Sequence, residues 1–200
     1  MTLLLSTAFH LYWLGRYMRR AQELPKNVLD TKGTQRIELI RYLGWPQEYT
    51  SDLDLEEYIY DKALPEYFDY INSNMQVVRA VIDADASELF NQVRRLQQSG
   101  SPRAACFQLY ACSAVMQEKR VFVNRFWQLG DYVEMLDQRI RHNDAQSRHY
   151  RYLAQVVTML PDGTGWDQIK QQIQAMVFTT DSSQFYVWHD RLLQLFEDGV

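Results

Sequence analysis

Three arginines crowd the stretch "LYWLGRYMRRAQ" (residues 11–22): Arg16, Arg19 and Arg20. A guanidinium grips a carboxylate or a phosphate through two parallel hydrogen bonds and keeps its charge at any physiological pH. Joined by Arg79 from further along the chain, the three would make an anion site. The chain also supplies acids at matching intervals, Asp131, Glu134 and Asp137, in "FWQLGDYVEMLDQ" (126–138). These would neutralise the arginines and leave a buried structural network. Both readings stay open on the residues alone.

Other chemistry finds little support. No Glu-x-x-His pair occurs, so the di-iron signature of ferritin-like bundles is absent. His10, His142, His149 and His189 lack the spacing of a metal site; His10, on a crowded apolar helix, reads as a core histidine. Cys106 and Cys112 are six residues apart in a helical stretch, about 9 Å of rise, which is out of disulfide reach. They read as reduced core thiols, consistent with the cytoplasm. With no glycine loop to cradle phosphates, no cofactor and no metal are expected. A net charge of −4 argues against nucleic acid or an anionic membrane surface as partner. The opening "MTLLLSTAFHLYWLG" lacks a basic lead and is too short to span a bilayer, so it reads as a buried helix.

The elements that must position these groups are helices. Only eight glycines and five prolines interrupt 200 residues, and no stretch alternates with period two. The pattern predicts a single all-α domain, a bundle of about eight helices, with repeat-like halves at about 1–100 and 101–200. The first helix is predicted from Leu4 to Leu24, stopped by Pro25, with Leu4, Ala8, Leu11, Gly15 and Met18 on one stripe. A short helix over 34–45 and a loop over 47–54 follow. A break at Pro65 precedes a long helix to Ile82, and Asp85 with Glu88 fits a capping box. Ser101 and Pro102 open a helical run to His142, which at about 60 Å calls for a break near 118–120. Helices over 144–160, 166–178 and 184–196 complete the chain.

Gly15 and Gly130 each sit inside a helix, where glycine costs about 1 kcal/mol. A shift of 115 residues superposes Leu14, Gly15 and Tyr17 on Leu129, Gly130 and Tyr132. The same shift sets Arg16 on Asp131, Arg19 on Glu134 and Gln22 on Asp137. The expected reason is a helix crossing in which a residue without Cβ lets two backbones touch, with Arg19 or Arg20 paired to Glu134.

"LYWLGRYMRRAQ" resembles the opening signature of the alpha-E family, bacterial all-helical proteins named for a Glu-Arg motif. "NSNMQVVRAVIDADASELFN" is similar to the family's middle segment, with Asn74 and Arg79 at its Asn and Arg positions and Asn91 at a later asparagine. "FWQLGDYVEMLD" looks like its second opening motif. Where the family has Glu-Arg, this chain has Arg19-Arg20 and then Glu134-Met135, one member of the dyad in each copy, which marks a divergent, short member. The resemblance implies a helical accessory, scaffold or substrate-binding partner of an ATP-grasp ligase that makes or modifies a peptide or amide. A peptide or amino-acid-derived substrate is implied with it. The alternative is a small enzyme or peptide-binding protein that uses the central Arg/Glu site.

Overall fold

The computed structural model describes residues 5–45 and 51–197. Their elements are α1 (Leu5–Asp30), α2 (Gly33–Tyr42), α3 (Asp52–Tyr58), a π turn (Ile59–Ala63), α4 (Leu64–Val78) and α5 (Ala84–Gln98). Then come α6 (Pro102–Gln117), α7 (Val121–Arg141), α8 (Ser147–Thr158), α9 (Thr164–Thr179) and α10 (Ser182–Glu197). The π turn fuses α3 to α4, so the described residues form nine continuous helices in an all-α bundle. None of the described helices is long and apolar enough to cross a membrane.

Helix α1 is the centre. It buries Leu11, Tyr12 and Leu14 together with Gly15, Arg16 and Met18, more than one face of a helix, because neighbours surround it. It crosses α7, packs along α4 and touches α6 and α10. From α7 the chain folds through α8 and α9 to α10, which returns to α1. There Phe196 of α10 packs edge-on against Phe9 of α1 and Phe126 of α7.

Two prolines do not break the chain as expected. α1 runs through Pro25 to Asp30. Pro25 has no N–H, which frees the Ala21 carbonyl one turn back, and the Cys106 thiol of α6 donates to that carbonyl at 3.1 Å. Burial pushes the Cys106 thiol up to about 11, so it keeps the proton it donates. Pro65 lies in the first turn of α4, where a missing N–H costs least. The wider π step, with Leu64 N–H bonded to the Ile59 carbonyl, leads into it without a break.

The remaining boundaries shift by local chemistry. Ser51 accepts from Asp54 N–H and starts α3 inside the expected loop, of which residues 47–50 lie outside the described ones, as does Leu4. Asp83, not Asp85, caps α5 by accepting from Ala86 N–H at 3.0 Å, and Glu88 pairs with Arg95 instead of closing a box. α4 ends at Val78, short of Ile82. The break between α6 and α7 falls at 118–120, where the sequence calls for it. Cys106 and Cys112 are both free and buried.

Candidate functional site

The site begins with two missing side chains. A Cβ on Gly15 would stand 2.1 Å from the Trp127 carbonyl oxygen and 2.9 Å from the Asp131 nitrogen. A Cβ on Gly130 would stand 1.8 Å from the Tyr12 carbonyl oxygen and 3.0 Å from the Arg16 nitrogen. Neither contact tolerates any residue but glycine, so α1 and α7 meet backbone to backbone here. The two contact sets map onto each other under the 115-residue shift: Tyr12 onto Trp127, Gly15 onto Gly130, Arg16 onto Asp131. The crossing is pseudo-symmetric.

That approach brings the arginines of α1 against the acids of α7. Arg19 donates from Nε and Nη2 to the two carboxylate oxygens of Asp131, at 2.9 and 2.8 Å. Arg20 forks onto Glu134 at 2.8 and 2.8 Å. Arg16 donates from Nε to Glu134 at 2.9 Å and from Nη2 to Asp137 at 2.9 Å. Of the two arginines expected opposite Glu134, Arg20 makes the contact and Arg19 does not. Arg16, one turn earlier, supplies the second cation.

Burial sets the stakes. Glu134 is 0% exposed and Arg16 5%. Burial alone would raise the Glu134 carboxyl, but the guanidinium groups of Arg16 and Arg20 outweigh it and hold it below the ordinary carboxylate range. Gln138 adds a hydrogen bond to Glu134 at 3.3 Å. The guanidinium planes also rest on aromatic rings, Arg16 on Trp13 and Arg20 on Tyr17 and Tyr67.

Two of the sequence-predicted site residues lie elsewhere. Asn74 is buried on α4, but its side chain meets His10 Nδ1 at 2.9 Å and the Tyr70 carbonyl at 2.8 Å, not the arginines. Arg79 is exposed just past the end of α4. Five residues turn a helix by about 140°, so Arg79 cannot share the inward face of Asn74.

Four further residues complete the network. Arg141 pairs with Asp137 one helical turn earlier, a spacing visible in the sequence. Tyr186 donates to Asp137 at 3.1 Å. His189 of α10 lies 2.6 Å from the Tyr12 hydroxyl and 3.1 Å from Arg16 Nη1. Arg16 can only donate, so His189 Nε2 is the acceptor and the ring proton sits on Nδ1. Burial, then the charge of Arg16, pushes His189 down to about 4. Burial pushes the Tyr12 hydroxyl up to about 12, so it stays protonated. No local signal in the sequence links His189 to α1 or Tyr186 to α7.

Four cations (Arg16, Arg19, Arg20, Arg141) face four carboxylates (Glu23, Asp131, Glu134, Asp137), Glu23 joining through Arg19. The charges balance without an outside anion. A cavity that touches the network, between Arg20, Leu24, Glu134 and Arg141, holds about 30 Å³, the scale of one or two water molecules. A far larger cleft, about 750 Å³, lies between α3 and the start of α6, and its lining includes none of these residues. Among the described residues no group of three or more His, Cys, Asp or Glu side chains is placed to hold a metal ion. His149 is occupied at the start of α8, where its Nδ1 accepts from Gln146 N–H. Comparison with protein-family models, with curated proteins and with solved structures yields no match.

Proposed function

We propose that this protein works as a non-catalytic helical partner of an ATP-grasp ligase that makes or modifies a peptide or amide. The alpha-E resemblance of residues 11–22, 72–91 and 126–137 supplies the ligase. The closed core supplies the non-catalytic role. An enzyme or anion-binding protein built on these arginines needs donors that point at a ligand. Here Arg16, Arg19 and Arg20 each turn Nε and Nη2 onto carboxylates of the same chain, and Arg16 gives Nη1 to His189. That self-neutralisation is the observation that carries the reading. It makes the network a brace between α1 and α7, and it leaves outer surfaces to meet the ligase.

The test is co-expression of the tagged protein with an ATP-grasp ligase encoded beside it. Co-elution of the two, and a ligase product whose yield depends on this protein, are expected. Turnover of a peptide or amide substrate by the isolated protein, with no such ligase encoded nearby, would overturn the proposal.

A further inference from the structure

We infer that the outer face of α6 is a self-association surface, on which a second copy of this chain docks its own α6 antiparallel. The face carries Ala104, Phe107, Ala111 and Ala114, all exposed and spaced 3-4-3, which is the seam of a helix pair rather than of a solvated helix. Phe107 is 78% exposed, and Tyr110 beside it is half exposed, its ring 6.4 Å from that of Phe107. A phenylalanine and three alanines in one row leave a ridge and a flat strip that no element among the described residues covers.

The order of the residues selects the occupant. Phe107 and Ala114 stand at equal distances either side of the midpoint between Tyr110 and Ala111. In an antiparallel pair each Phe107 therefore lands on the second copy's Ala114, large against small, twice over. The charges obey the same rule. Arg103 and Glu118, both exposed, flank the stripe at equal distances from that midpoint. Antiparallel docking sets Arg103 near the second copy's Glu118 at both ends. A parallel pair would instead stack Phe107 on Phe107 and set like charges together, which is unfavourable. Arg103 already meets Glu56 of its own chain, yet 67% of its side chain remains exposed and able to reach across. The self-complementarity is that of a two-fold interface, in which one patch serves both partners.

One helix pair of four turns is a small interface, so a weak, reversible dimer is expected. Sedimentation velocity from about 5 to about 500 µM covers the range for such contacts. The wild-type chain should shift from monomer to dimer across that range. Phe107→Asp and, independently, Ala114→Arg should raise the dissociation constant by about thirtyfold or more, with unchanged circular dichroism because both sites are exposed. Arg103→Glu and Glu118→Arg should each weaken the dimer. An equimolar mixture of these two variants should recover it, because every cross-pair is then of opposite charge. A wild-type chain that stays monomeric to the top of the range overturns the inference and leaves the face to a different protein. Undiminished association of Phe107→Asp, or a mixture that fails to recover, overturns it as well. None of these outcomes depends on the ligase proposal.

Discussion

Replacing Gly130 with alanine adds one methyl group at the tightest point of the molecule, and the outcome can be worked from the geometry. The new Cβ would stand 1.8 Å from the Tyr12 carbonyl oxygen, where ordinary contact begins at 3.4 Å, so α1 must retreat by about 1.6 Å. No rotamer change relieves a clash with main chain. Alanine gains about 1 kcal/mol of helix propensity over glycine, whereas forced repacking of a tight core typically costs about 1–3 kcal/mol and more when backbones must part. The retreat also pulls Arg16 off Glu134, now 2.7 Å apart, and loosening a buried pair adds to the cost. The net expectation is a loss of about 2 kcal/mol or more, a drop in melting temperature of about 4–8 °C or more for a chain of this size. Urea denaturation followed by circular dichroism reads it directly. Gly165→Ala is the control: its Cβ meets only the tip of the Leu195 side chain, which can rotate away, so its stability should change by less than about 1 kcal/mol. Because Gly15 faces Trp127 across the same contact, Gly15→Ala combined with Gly130→Ala should cost less than the sum of the two. A Gly130→Ala variant as stable as the wild type would refute the crossing as the reason for the glycine.

Glu134→Gln should cost about 3–5 kcal/mol, because it leaves two arginines facing one buried neutral amide; equilibrium unfolding measures it, and a loss under 1 kcal/mol would make the network dispensable. Cys106→Ala should cost about 1–2 kcal/mol by leaving the Ala21 carbonyl beneath Pro25 without a donor; Cys106→Ser, which keeps a donor, should recover part of the loss, and equal losses for both would remove the thiol's role. The third concerns pH. His189 is held near 4 in the fold, against about 6.5 unfolded, so between those values the unfolded chain binds a proton that the folded chain refuses. The stability that neutral His189 contributes is complete above pH 6.5 and falls as pH drops toward 4, by at most about 3 kcal/mol. His189→Gln should reduce the slope of the stability profile between about pH 5 and 6.5, above the point where the loss tied to Glu134 sets in as pH falls through the ordinary carboxylate range; an unchanged slope would show that His189 titrates normally.

What the sequence made legible was set by local pattern. The glycine pair, the acids at 131, 134 and 137, and the break at 118–120 all follow from spacing along one helix, and the structure places each accordingly. What it hid was set by distant partners. Pro25 reads as a stop because its sequence neighbours cannot serve the carbonyl it frees; the donor is Cys106 of α6, brought in by the fold. Pro65 reads as a break because a π step leaves no signature in residue types. His189 reaches Tyr12 and Arg16 from the last helix with no periodicity to announce it. Arg79 reads as a fourth arginine of the anion site, while the helical turn that separates it from Asn74 sends it to solvent.

The pseudo-symmetry of the crossing fixes which position of one copy meets which position of the other. Under the 115-residue shift Arg19 maps onto Glu134 and Asp131 onto Arg16. The bridge from Arg19 to Asp131 therefore maps onto the bridge from Glu134 to Arg16, with its polarity reversed. Each bridge joins non-equivalent positions, 16 or 131 to 19 or 134, so each needs an acid at one and a base at the other, which two identical copies could also supply. Here the charges are divided by helix instead, bases on α1 and acids on α7, and the crossing is neutral all the same. The symmetry then fails where more charge is needed. Gln22, the counterpart of Asp137, turns to Ser113 instead, and Met135, the counterpart of Arg20, brings no charge. The contact between Arg20 and Glu134 has no mirror image. It joins across two helices an Arg and a Glu, the pair that the resemblance expects side by side in one.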